Sequence, residues 1–310
     1  MMLSRTADHL YWMSRYLERA ENLARLLDVS FSLALLPQSK NGARSEISAP
    51  LVITEMLEEY NRKHDELTPE KLLDFVALDR SNPASIVSCI RQARENAHAV
   101  RGKITAEMWE NINATWIEAR EYAAKGIDNV GAFFDWVKER SHLFRGVTYG
   151  TILRGDAYSF IRLGTFIERA DNTARLLDVK AHLLQSDEAA SASDYYAWSA
   201  LLKALSAYEA YLEIYRDAVT ARQVTEMLIL SPRLPRSLRA CLEAICKILA
   251  QLEGDNGRLA QRDAAALLAE LKFASVDEIL DEGLHDYLAE CLIDINGLGD
   301  RIYQAYLKAA

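Results

Sequence analysis

A glutamate next to an arginine, with an asparagine and a second arginine on the following turns, can hold an anion, move a proton or lock two helices together. This sequence writes that set twice. Leu17–Val29 reads LERAENLARLLDV, and 150 residues later Ile167–Val179 reads IERADNTARLLDV, identical at ten of thirteen positions. Glu18, Arg19, Asn22 and Arg25 thus recur as Glu168, Arg169, Asn172 and Arg175. On a 3.6-residue wheel Glu18, Asn22 and Arg25 form one stripe, extended by Tyr11 and Arg15. Met13, Leu17, Ala20, Ala24 and Leu27 mark the apolar face. Three readings stay open: a buried network between helices, a ligand or catalytic site, or a solvated face. A surface pair contributes little, and Lys or Gln would serve there as well. Breaking a buried pair costs about 3–5 kcal/mol, which would make its members persist together.

A second group sits only in the first half. Arg91, Arg94, Glu95, Asn96 and Arg101 lie on one expected helix, with Arg94 and Arg101 on a shared face. The duplicate offset has Glu243, Cys246, Lys247, Ile248 and Glu253 instead. Trp109, Glu110 and Asn113 are likewise replaced by Gln261, Arg262 and Ala265. Arginine forks suit carboxylate or phosphate, so these residues would complete a site against one copy of the Glu-Arg helix. Arginines on a solvated helix face are the plainer alternative.

Familiar catalytic patterns are missing. No phosphate loop, dinucleotide fingerprint or nucleophile elbow occurs, and no cofactor is expected. Glu95-Asn96-Ala97-His98 gives one Glu-x-x-His, where a di-metal helical bundle needs two, so no metal is expected. Cys89, Cys241, Cys246 and Cys291 form no C-x-x-C pair and read as buried free thiols. A net charge of −9 argues against non-specific nucleic-acid binding.

The elements that would position these residues are helices. Thirteen Gly and six Pro in 310 residues leave a chain rich in Ala, Leu, Glu and Arg. Helices are predicted over Thr6–Leu36, Leu51–Arg62, a short one opened by Thr68-Pro69, one from Asn82-Pro83 to Arg101, Thr105–Gly126 and Val130–Leu153. Gly155-Asp156 opens the helix running to Leu184, followed by Tyr195–Leu230, Pro235–Leu252, Asp263–Phe273 and Val276–Leu307, the last behind a Ser275/Glu278 capping box. Gln38–Ser48 and Ser186–Ser193 read as loops. Leu78, Pro83, Ser85 and Cys89 recur 152 residues on as Leu230, Pro235, Ser237 and Cys241. Two segments at nearly one offset predict an all-α protein of two diverged helical-bundle repeats in a pseudo-two-fold arrangement. The repeats would cover 1–150 and 151–310, as two domains or fused into one. The start of the chain, with Arg5 and Asp8, lacks a signal peptide's apolar core, and no apolar run approaches the ~18 residues a bilayer needs. A cytoplasmic location is expected.

The opening Met2–Trp12 and Arg15–Asn22 resemble the bacterial Alpha-E family, named for its helices and its Glu-Arg signature. Arg154-Gly155-Asp156, Tyr158, Phe160 and Leu163–Ala170 resemble its second signature, and Pro235-Arg236-Ser237 and Arg94-Glu95-Asn96 resemble other recurring patterns. Asp156-Ala157-Tyr158 departs from the family's more usual acidic residue, Gly and Trp. The resemblance implies partners: a circularly permuted ATP-grasp protein and a transglutaminase-like protein, in peptide-bond formation or peptide processing. It implies no reaction for the helical protein itself. Two functions follow as expectations. One is an accessory subunit of an amide ligase, with a polar Glu/Arg/Asn cleft for peptide or partner. The other is an enzyme using Glu18 or Glu168 as acid/base, with arginines holding an anionic substrate.

Overall fold

A computed structural model describes residues 2–34, 40–184, 192–252 and 255–308. Among these are fifteen α-helices and no strand. The chain divides into two compact units, Met2–Thr165 and Phe166–Ala310.

The first unit holds α1 (Ser4–Ala34), α2 (Lys40–Ile53), α3 (Leu57–Lys63), α4 (Pro69–Leu73), α5 (Ile86–Ala99), α6 (Ala106–Lys125) and α7 (Val130–Thr151). The start of α8 (Asp156–Leu184) belongs to it as well. α1 packs on α2, α5 and α7, while α6 bridges α5 and α7. Leu23, Leu27, Phe75, Ile86, Ile90 and Phe133 are fully or nearly fully buried in its core. Thr68 and Thr105 start helices where the sequence predicts, Asn129 caps the helix expected from Val130, and Ser85 starts α5 at Ile86, beyond the expected Asn82-Pro83; each of the four accepts a backbone N–H three residues on. Gly126, at φ +85°, ends α6.

The second unit continues α8 and adds α9 (Ala192–Ala204), α10 (Tyr208–Tyr215), α11 (Ala221–Leu230), α12 (Leu238–Gln251), α13 (Arg258–Phe273), α14 (Val276–Glu282) and α15 (Leu284–Ile302). α13 packs between α12 and α15, and α14 touches α11 and α15. The Ser275/Glu278 capping box is present, with both of its hydrogen bonds.

Several predicted helices are in fact interrupted. The one expected over Leu51–Arg62 is the end of α2 followed by α3. Glu55 at φ +57° turns the chain, and the Met56 N–H closes back on the Leu51 carbonyl at 2.8 Å. The loop expected over Gln38–Ser48 is helical from Lys40, and its first two residues lie outside the described ones. The helix expected over Tyr195–Leu230 is three helices, broken at Ser206 (φ +53°) and at Arg216 (φ +52°). The Ala207 N–H returns to the Leu202 carbonyl at 2.7 Å. Gly283, at φ +103°, likewise splits Val276–Leu307. α12 starts at Leu238 because Ser237 caps it, and α13 starts at Arg258, five residues ahead of the expected Asp263. The loop expected over Ser186–Ser193 gives way to α9 at Ala192, with the residues before it outside the described ones.

Local features recur between the units at sequence separations of 151 or 152. Glu55 and Ser206 share the left-handed turn. The buried Tyr60 and Tyr211 donate their hydroxyls to the carbonyls of Glu66 and Ala218, each at 3.0 Å. Thr68 and Thr220 cap helices, as do Ser85 and Ser237. The Cys89 and Cys241 thiols, both fully buried, point back to carbonyls five or six residues earlier.

One close crossing sets where α1 and α8 meet. A Cβ on Gly164 would land on the Tyr11 carbonyl and the Ser14 hydroxyl, so only glycine lets the two backbones approach there. Ser14 and Gly164 stand 150 residues apart, the same separation as the two Glu-Arg segments.

Candidate functional site

The first Glu-Arg helix is buried on its charged side as well as its apolar one. Glu18 is 2% exposed, Glu21 is wholly buried, and Asn22 is 5% exposed. Such carboxylates need several donors, and α7 supplies most of those seen here. Arg145 Nη1 lies 3.1 Å from Glu18 Oε2 and 3.0 Å from the Ser141 hydroxyl, and it also bonds Glu21 Oε2. The Ser141 hydroxyl donates to the same Glu21 oxygen at 2.7 Å. On α1 itself, Arg25 Nε donates to Glu21 Oε1 at 2.9 Å.

The seam extends along both helices. Arg25 Nη2 is 3.1 Å from His142 Nε2, and Lys138 Nζ reaches Asp28 at 2.9 Å. Positions 138, 142, 141 and 145 of α7 meet 28, 25, 21 and 18 of α1 as α7 runs back along it. This is an antiparallel ionic seam, buried at Glu18 and Glu21 and open to solvent at His142, where the side chain is 53% exposed. The solvated-face reading therefore does not hold for Glu18, Asn22 or the Glu21–Arg25 pair.

The second helix keeps part of the arrangement. Glu168 and Arg169 are buried, at 4% and 9% exposure. Arg175 Nε donates to Asp171 at 2.9 Å, matching Arg25 and Glu21, and Asn172 is half-buried. Thr173, fully buried, donates its hydroxyl to the Arg236 carbonyl at 2.8 Å. Asp178, the counterpart of Asp28, pairs with His285 Nδ1 at 2.6 Å in place of a lysine. The hydrogen bond and charge of Asp178 push the His285 imidazole above its ordinary value.

The other candidates form separate groups. Arg94 and Arg101 face the Trp109 ring, with their guanidinium carbons 5.5 and 5.1 Å from its centroid. Arg94 also donates to Asn113 at 3.3 Å and pairs with Glu95 at 2.9 Å. Neither arginine contacts Glu18 or Glu21, so the expected single site is not what the first unit brings together. Asn96 goes instead to His9 of α1, at 2.7 Å between Oδ1 and Nδ1. Arg15 lies 4.8 Å from the Trp12 ring centroid and reaches the Tyr11 hydroxyl at 3.3 Å. Arg19 stacks more loosely over Tyr16, at 5.9 Å.

Sequence reasoning missed the α7 side of the seam. Ser141, His142 and Arg145 fall at helical spacing with Lys138, which is the signal available, but such a stripe also describes a solvated face. A further pair on α7 stands at Glu118 of α6. Burial would raise its carboxyl, yet hydrogen bonds from Arg140 and from Trp136 Nε1, the latter at 2.6 Å, outweigh that and hold it below the usual carboxylate range.

Among the described residues no group of three or more His, Cys, Asp and Glu is arranged to hold a metal ion. No described helix is long and apolar enough to cross a membrane. No characterised protein and no solved structure matches the chain. One family model does, across residues 2–307, described as a predicted alpha-helical domain with a conserved ER motif. With nearly the whole chain matched and the glutamate of its Glu18-Arg19 motif set in a buried ionic seam, the protein belongs to the Alpha-E family.

Proposed function

We propose that this protein is a helical accessory partner of an amide-forming system, in which a circularly permuted ATP-grasp protein supplies the ATP chemistry and a transglutaminase-like protein acts alongside. One observation carries the non-catalytic half of this reading. Glu18 and Glu21 are 2% and 0% exposed, and both are engaged by Arg145. A general acid or base must come within hydrogen-bond reach of a substrate proton, and carboxylates so enclosed and neutralised are poorly placed to do so. That counts against an enzyme built on Glu18.

The surface offered to a peptide or partner would be the Trp109 group. Arg101 is exposed and makes no ion pair among the described residues, and Arg94 shares the same ring. A guanidinium pair over an aromatic face suits a carboxylate-bearing partner. The resemblance to a family encoded with such proteins supports the choice of system.

We also propose that the chain arose by duplication of a unit of about 150 residues. The repeated thirteen-residue segment supports this, and so do the paired caps, tyrosine bonds and left-handed turns at separations of 151 or 152.

The test is to mix the purified protein with the ATP-grasp protein and follow complex formation and ATP turnover. A complex weakened by Arg94→Ala/Arg101→Ala, at unchanged melting temperature, is the expected result. No complex and no change in turnover would reject the reading.

A further inference from the structure

In the second unit, α12, α13 and α15 enclose a pocket of about 240 Å³ that the ionic seam does not touch. Its floor is apolar: Leu242, Leu271 and Ile295 are each at most 4% exposed. Its rim is acidic, with Glu290 and Asp294 one helical turn apart on α15 and Glu270 opposite on α13. None of these three carboxylates has an ion-pair partner among the described residues. Lys272, also on α13, acts on Cys246 of α12 and pairs with none of them. We propose that this pocket binds a small organic cation with an apolar body, an arylalkylamine in chemical class.

Size, charge and donor set each support that occupant. An apolar cavity of about 150 Å³ accepts benzene, so this one has room for a ring and a short chain. The pocket is smaller than the roughly 300–1,000 Å³ usual for larger ligands. The polar groups inside, Tyr287 and Cys291, stand one helical turn apart on α15, and neither carries charge: burial pushes the Cys291 thiol up to about 12 and the Tyr287 phenol up as well. Burial and then the charge of Glu290 push the Asp294 carboxyl up, which is the signature of a carboxylate lacking a cation. The rim carboxylates are not gathered to hold a metal ion. An ammonium head at the rim would neutralise them while its apolar tail covers the leucines. This inference stands on the pocket alone and does not rest on the accessory role proposed above.

The test is calorimetric titration of the full chain with 4-phenylbutylamine, 4-phenylbutan-1-ol and 4-phenylbutyrate at neutral pH. The amine should bind at least tenfold more tightly than the alcohol, and the acid should not bind. Glu290→Gln/Asp294→Asn, on partly exposed positions, should lower amine affinity at least tenfold and leave the alcohol unchanged. Methyl NMR shifts at Leu271 and Ile295 should accompany binding. An amine that does not bind at millimolar concentration, or binds no better than the alcohol, overturns the proposal. So does binding that the double variant leaves intact or that shifts methyls elsewhere.

Discussion

Glu21 on α1 and Ser141 on α7 meet through a 2.7 Å hydrogen bond to a carboxylate that no solvent reaches. The neighbouring pair along the same seam, Asp28 and Lys138, is partly open, with side chains 38% and 18% exposed. The same two helices therefore carry equivalent chemistry at two degrees of burial, and the energetics should follow burial. Ser141→Ala should cost about 1.5–3 kcal/mol, the range for a hydrogen bond to a charged group. Lys138→Met should cost less than about 1 kcal/mol, since solvent screens that pair. Urea unfolding of both variants checks the order, and equal costs would contradict it.

Glycine contributes at two positions for opposite reasons. Gly164→Ala pushes a methyl into the Tyr11 carbonyl and should destabilise by about 1–3 kcal/mol, the usual cost of overpacking. Gly146 lies within α7 with nothing near its absent Cβ. Gly146→Ala should stabilise by about 0.5–1 kcal/mol through helix propensity and lost unfolded-state freedom. Thermal melts of the two variants should move in opposite directions.

The turns at Glu55 and Ser206 hold non-glycine residues at φ +57° and +53°. That conformation costs an L-residue about 1–2 kcal/mol. Glu55→Gly and Ser206→Gly should each raise stability, by about 0.5–1 kcal/mol after glycine's extra unfolded-state entropy. If the units descend from one ancestor the two gains should be similar. A loss at either position in chemical denaturation would show that the turn is held by something other than backbone conformation.

His285 gives a pH dependence whose sign is fixed. Its folded value is raised by Asp178, above the ordinary value of about 6.5. The pair's contribution is therefore fully present below about pH 6.5 and fades as pH rises through the folded value. Because His285 is half exposed, the effect is small. The stability deficit of His285→Gln relative to the parent should shrink from pH 5.5 to 8.5, and a deficit that grows would contradict the assignment.

Much of the fold was legible because it is written locally. Thr68, Thr105 and the Ser275/Glu278 box announce helix starts through side chains three residues from the amides they serve, and Pro69 sits where a missing N–H does no harm. The breaks at Glu55 and Ser206 were not legible, since neither is glycine, the residue type that usually marks a left-handed turn. The candidate site was half legible. Repetition marked Glu18 and Arg25, but Arg145 stands 124 positions from Glu21 and no local pattern joins them. The wheel left three readings open for the charged stripe of α1, and the buried network is the one found, because α7 brings its own charges to meet it.

A double-mutant cycle on Glu21→Gln and Arg145→Met in urea, run far from any partner protein, reaches the heart of this account. If the signature helix is held by a closed ionic seam, the two changes together should cost about 1–3 kcal/mol less than the sum of the two alone, as for residues in one contact network. Additive costs, with coupling inside about 0.3–0.5 kcal/mol, would mean that Glu21 and Arg145 do not depend on each other and that the seam does not hold these helices together.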